Sequence, residues 1–207
     1  MANKASSGRD ISRRKVLQSA VSATSVSLIP LTSCTTPGSA PKKVLAREAW
    51  LILEAFTDRI IPADDNGPGA VAAGVPYYIE NSLADWNAAE LDTLSAGLFA
   101  LTTAARHRYD LDFQLLSAGN KDALMRDMED GKIAGFENSA AIFSRLHRLT
   151  LEGMFSDPFY GGNQGYLGWD LIGYPGAVMA STAQMQQMGG RLPPLHTSAY
   201  GSDYDGE

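Results

Sequence analysis

Apolar side chains in this chain recur at intervals of three and four, and strand-like alternation is absent throughout. That spacing confines the fold, because a stripe with a period near 3.6 buries itself only as a helix packed on other helices. In LAREAWLILEAFTDRII, residues 45–61, Leu45, Ala49, Leu53, Phe56 and Ile60 draw one stripe. Trp50, Leu51, Ile52 and Ile61 add apolar surface on other sides, which predicts a helix buried on more than one face. Pro62 ends it, since proline offers no amide hydrogen to the preceding turn. PADDNGPGA reads as an acidic loop, and residues 76–85 fit a helix opened by Pro76. Asn87 and Glu90 have the spacing of a capping box ahead of a stripe at Leu91, Leu94, Leu98, Leu101 and Ala105. A short amphipathic helix ending near Gly131 and another over 138–155, with Ile142, Phe143, Leu146 and Leu149 inward, complete an all-α bundle of about five or six helices.

After Phe155 the character changes. Residues 156–176, SDPFYGGNQGYLGWDLIGYPG, hold six glycines, two prolines, three tyrosines and one tryptophan, so this stretch reads as a long irregular loop too aromatic to be disordered. Residues 181–207, rich in Gln, Met, Pro and Ser, read as a tail that is extended when the protein is alone.

The first 33 residues have a different design. Lys4, Arg9, Arg13, Arg14 and Lys15 stand against one acid, Asp10, and residues 16–31 carry no charge. A basic segment followed by a short, Ser/Thr-containing apolar run is a secretory signal and is too short to span a bilayer. SRRKVLQ, with the pair Arg13-Arg14, resembles the twin-arginine export motif. Leu31-Thr32-Ser33-Cys34 resembles a lipobox, in which two small residues precede a cysteine that is acylated. Cys34 is the only cysteine, so it forms no internal disulfide, and its expected role is a lipid anchor. Residues 34–43 then form a flexible tether, residues 44–180 a helical domain and residues 181–207 the tail. Without residues 1–33 the chain keeps 12 basic against 22 acidic side chains, a net charge near −10. That balance argues against a nucleic-acid partner and against electrostatic attachment to anionic lipid.

Candidate chemistry is sparse. His107 lies between two arginines, His147 lies on a predicted helix and His196 lies in the tail; no HxxxH, HExxH or CxxCH spacing occurs. Neither a metal site nor a haem of its own is expected. Asp58, Asp64 and Asp65 cluster around Pro62, where a helix end and polar turn explain them, with Asp58 paired to Arg59 or a neighbour. In the aromatic loop, Trp169 and Phe155 are expected in the core. Tyr160, Asn163, Tyr166 and Tyr174 are the candidates for a partner interface, because tyrosine and tryptophan dominate binding hot spots. The same rings could instead cap the bundle, with Asp157 and Asn163 bonding loop backbone.

Two stretches resemble the small subunit of gluconate 2-dehydrogenase and related membrane-bound sugar dehydrogenases. One is Phe56 to Ala84, with Arg-Ile-Ile-Pro-Ala-Asp and Pro-Gly-Ala. The other is Leu151 to Gly176, with Asp157-Pro158, Tyr160-Gly161-Gly162-Asn163, Gly168-Trp169 and Gly173-Tyr174-Pro175-Gly176. The resemblance implies a non-catalytic subunit with no catalytic or cofactor-binding residue of its own. Its partner would be a large FAD-dependent flavoprotein of the glucose-methanol-choline type, acting on a sugar, sugar acid or polyol. A multihaem cytochrome c subunit would carry the electrons onward. The small subunit's signal would take the folded, FAD-loaded partner through the twin-arginine translocase to the periplasmic side. The lipobox is not part of the resemblance. Two rival readings are a free-standing periplasmic sugar-binding module and a self-sufficient enzyme using Asp64 or Asp157.

Overall fold

The computed structural model describes residues 43–183, 185–186 and 192–201. Arg13, Arg14 and Cys34, and with them the export signal and anchor, lie outside the described residues. Among the described residues six α-helices form the domain: α1 (Arg47–Ile60), α2 (Val75–Ala84), α3 (Leu91–Tyr109), α4 (Ala118–Glu129), α5 (Ser139–Phe155) and α6 (Leu167–Ile172). Among the described residues no strand exceeds an isolated bridge.

Helix α5 lies at the centre, packed on α1, α2, α3, α4 and α6. Its Ile142, Phe143, Leu146 and Leu149 are all buried, as their spacing predicts. The α1 stripe meets them: Ala49, Ile52, Leu53 and Phe56 are buried, and the Phe56 ring meets Phe143 edge-on at 5.8 Å. Helix α3 brings Leu94, Leu98, Leu101 and Ala105 into the same core. Burying such a side chain is worth roughly 1.5–3 kcal/mol against leaving it in water, so this shared core holds the bundle.

Polar pairing departs from the sequence expectation in two places. Asn87 makes no side-chain cap, and residues 88–90 form a 3₁₀ turn. Glu90 instead receives both arms of the Arg145 guanidinium from α5, with Nη2 at 3.0 Å. A two-armed, charge-assisted pair between helices outweighs a local reach back along the chain. Arg59 likewise pairs across the bundle, donating to both oxygens of Asp122 on α4 at 2.8 and 3.0 Å, and not to Asp58. The bond from Arg59 holds the Asp122 carboxyl below its ordinary range.

Glu80 is the one carboxylate wholly inside the described domain, 3% exposed on α2. Its Oε1 accepts the backbone N–H of Val44 at 3.0 Å and of Leu45 at 3.1 Å, which pins the chain where it enters α1. Glu80→Ala leaves two donors without this acceptor and is expected to lower stability by ~1–3 kcal/mol. A urea titration of the purified variant against the parent measures it, and an unchanged midpoint refutes it.

Candidate functional site

The aromatic loop is more ordered than its composition predicts. Asp157 opens a 3₁₀ turn over Pro158–Tyr160 by accepting the Phe159 N–H at 3.0 Å. A second 3₁₀ turn over Gln164–Tyr166 leads into α6, a helix that the run of glycines concealed. Asn163 organises the turn between them. Its Nδ2 donates to the Ser156 carbonyl at 2.8 Å, and its Oδ1 accepts the Gly168 N–H at 2.8 Å. Asn163 is fully buried, so its expected place on a contact surface is corrected: it orders the loop from within. Its φ of 46° is the left-handed conformation that asparagine tolerates better than most residues. Trp169 is buried as expected and donates its indole N–H to the Phe155 carbonyl at 3.0 Å. Phe155 is half-buried at the margin of the core.

The described stretch of the tail, residues 192–201, returns to this loop. Gly176 and Thr197 form a parallel bridge, and the Ala177 N–H donates to the Thr197 carbonyl at 2.8 Å. Asp157 latches the returning stretch: Oδ1 accepts the Ser198 hydroxyl at 2.8 Å and Oδ2 accepts the Ala199 N–H at 2.9 Å. Tyr200 then stacks on Phe159 with ring centroids 4.0 Å apart and shares a hydroxyl hydrogen bond of 2.5 Å with Tyr160. His196 stacks on Tyr166 at 4.7 Å and meets Asp170 through Nε2 at 2.7 Å. With both oxygens of Asp157 in this latch, the acid/base role weighed for it has a structural alternative that accounts for every contact. Asp64 likewise serves its own turn, accepting the backbone and side-chain amides of Asn66, and those bonds hold its carboxyl below the usual range.

The result is a ring-bearing surface. Tyr160 and Tyr166 are half-buried, and Tyr174 is exposed. Trp86, half exposed at 50%, lies edge-on to Tyr78 at 6.0 Å and to Tyr160 at 5.7 Å. These rings and Leu151 border an open cleft of about 660 Å³. At the end of α6, Leu171 and Ile172 are exposed, as is Tyr174 just after it. Trp86 and Tyr200 were not singled out in the sequence. The available signal was an isolated tryptophan after the α2 stripe and one of two tyrosines in a tail rich in Gln, Met, Pro and Ser.

Tyr78 forms the floor of the cleft. Burial first, and then the charge of Glu152, push its phenol up to about 12. In the unfolded chain it would ionise near 10, so stability is complete below that pH. Between ~10 and about 12 the unfolded state alone loses the proton, and stability falls as pH rises. Tyr78→Phe is expected to flatten this alkaline loss, measured as the denaturant midpoint across that range. An equal loss in the variant refutes the assignment.

A second cleft, about 640 Å³, lies between α3 and the segment joining α4 to α5. Its cations are already matched, Arg108 with Asp127 and Lys132 with Asp130. His107 lines this cleft, and His147 stacks on Phe143 at 5.9 Å. Among the described residues no three His, Cys, Asp or Glu side chains are placed to hold a metal ion, and no helix is long and apolar enough to cross a membrane.

Comparison with curated proteins found no match, and comparison with solved structures found none. The sequence profile of gluconate 2-dehydrogenase subunit 3 matches residues 47–176, from the start of α1 to the last glycine of the aromatic loop. That span covers more than half the chain and takes in both stretches on which the resemblance was drawn. The chain therefore belongs to the gluconate 2-dehydrogenase subunit 3 family.

Proposed function

We propose that this protein is the non-catalytic small subunit of an FAD-dependent sugar, sugar-acid or polyol dehydrogenase. It accompanies the flavoprotein through the twin-arginine translocase and stabilises it on the periplasmic side of the membrane, held there by lipid on Cys34. A multihaem cytochrome c subunit receives the electrons in such a complex. One observation carries the reading: the family match runs through a loop that is built as a fixed support for exposed rings. Asn163 and Asp157 are spent on holding that loop and the returning tail. Tyr160, Trp86, Tyr174 and Tyr200 remain at its surface. Rigid rings on a preorganised support lose little entropy on docking, which is what a lasting subunit interface needs.

The test is to recover the exported chain from its own cells by an affinity tag and record the absorption of what accompanies it. A flavin spectrum and a large second subunit are the expected result. A chain that comes down alone, or that oxidises a substrate without a flavoprotein, rules the proposal out.

A further inference from the structure

Helix α2 has two aromatic faces, and they point to different surroundings. Tyr78 turns its ring to Trp86 and the cleft. Tyr77, the preceding residue, is rotated about 100° around the helix axis. It turns outward, 41% exposed, and its ring packs on Trp50 of α1 with centroids 4.9 Å apart. This second pair adjoins the point where the tether enters the domain. Glu80, one turn along α2 from Tyr77, binds the amides of Val44 and Leu45. Lys43 and Arg47 are exposed there, and neither joins an ion pair with another described residue. Arg47 and Trp50 are three residues apart on α1 and share a face. In sequence, Lys42 adds a third positive charge beside Lys43. An acidic chain thus concentrates basic side chains next to a Trp–Tyr pair at its tether.

We propose that the Trp50–Tyr77 face, with Lys43 and Arg47, is the side of the domain that rests on the phospholipid surface. The proposal rests on the reading of Cys34 as the lipid anchor. Lys43 lies nine steps along the chain from Cys34, and a fully extended chain of that length reaches no more than about 30 Å. The point of entry is therefore confined to the neighbourhood of the bilayer. Tryptophan and tyrosine favour the boundary between headgroups and acyl chains, and juxtaposed Lys and Arg favour anionic headgroups. Glu48, exposed beside Arg47, is paired with Arg106 of α3, and Glu54, one turn beyond Trp50, is the next acid on α1. Lipid contact at Tyr77 leaves Trp86 directed elsewhere, open to a protein partner.

Quenching of tryptophan emission by brominated phospholipid tests this directly. The chain is made with its own signal, purified from membranes, and reconstituted into vesicles containing anionic and acyl-brominated phospholipids. Trp50→Phe is expected to abolish most of the quenching and Trp86→Phe to leave it in place, with buried Trp169 silent in both. The double variant Lys43→Glu and Arg47→Glu is expected to lose quenching on anionic vesicles while retaining it on zwitterionic ones. Quenching carried by Trp86, or none in a chain that floats with the vesicles, overturns the proposal. Mass spectrometry of the same preparation separates this question from the anchor. If Cys34 is present without lipid, the anchor reading fails, and the chain is joined to a maleimide phospholipid through that thiol. The same comparison of Trp50 and Trp86 then decides the face. A chain recovered without Cys34 overturns both.

Discussion

Gly168→Ala is expected to detach the aromatic loop from the bundle and to lower stability by ~3 kcal/mol or more. The second residue of α6 lies against the end of α5. A methyl group added there would lie 1.8 Å from the Met154 carbonyl oxygen and 2.8 Å from its carbon. Both atoms belong to helix backbone, so no side chain can swing aside. Overpacking usually costs about 1–3 kcal/mol, and an immovable neighbour puts this case at or above the upper end. The movement that relieves the clash also withdraws the Gly168 N–H from Asn163 and the Trp169 indole from the Phe155 carbonyl. The measurement is a denaturant titration followed by tryptophan fluorescence. Gly119→Ala is the control, because a methyl group there meets nothing within 4 Å and lies inside α4. It is expected to be neutral or to stabilise by roughly 0.5–1 kcal/mol. A Gly168→Ala protein as stable as Gly119→Ala would show that the loop does not depend on this close approach.

The same loop marks how far the sequence could be read. The stripes at Leu53 and Phe56, at Leu94, Leu98 and Leu101, and at Ile142 and Leu146 each follow one helical period, and all are buried. Burial of a face is a local property of spacing, and spacing is visible in one dimension. The loop depends on meetings between distant residues. Asp157 finds Ser198 and Ala199 more than forty positions later, and Glu80 finds Val44 and Leu45 some thirty-five positions earlier. No periodicity announces either pairing. Glu90 shows the converse failure. A capping pattern was present in sequence, but Arg145 from α5 offered a better partner. Helix α6 was hidden because its flanks, Gly165 and Gly173, take left-handed conformations that read as loop. Of the four residues picked for an interface, Tyr160, Tyr166 and Tyr174 do reach the surface to different degrees. Asn163 instead follows the other reading of the loop, in which its side chain bonds loop backbone: it is buried between the Ser156 carbonyl and the Gly168 N–H.

Changing Arg13 and Arg14 together to Lys is expected to strand both this protein and the flavoprotein proposed as its partner in the cytoplasm. The argument is physical. FAD is bound by a folded domain and is available in the cytoplasm, so a flavoprotein that crosses loaded must cross folded. A channel for unfolded chains cannot carry it. A flavoprotein that depends on the signal of its small subunit then remains behind when that signal fails, even though its own sequence is untouched. The lysine pair keeps the charge of the segment, so a loss of export reflects the arginines and not the net charge. Cys34→Ser separates export from anchoring: both subunits should still leave the cytoplasm, but they should wash from the membrane in salt-free buffer. Fractionation of cells carrying each variant, with flavin fluorescence measured in the periplasmic extract, reads out all three states. Flavoprotein that reaches the periplasm with its FAD in the Lys-Lys strain shows that it travels by another route, and the role of escort proposed for this chain then falls.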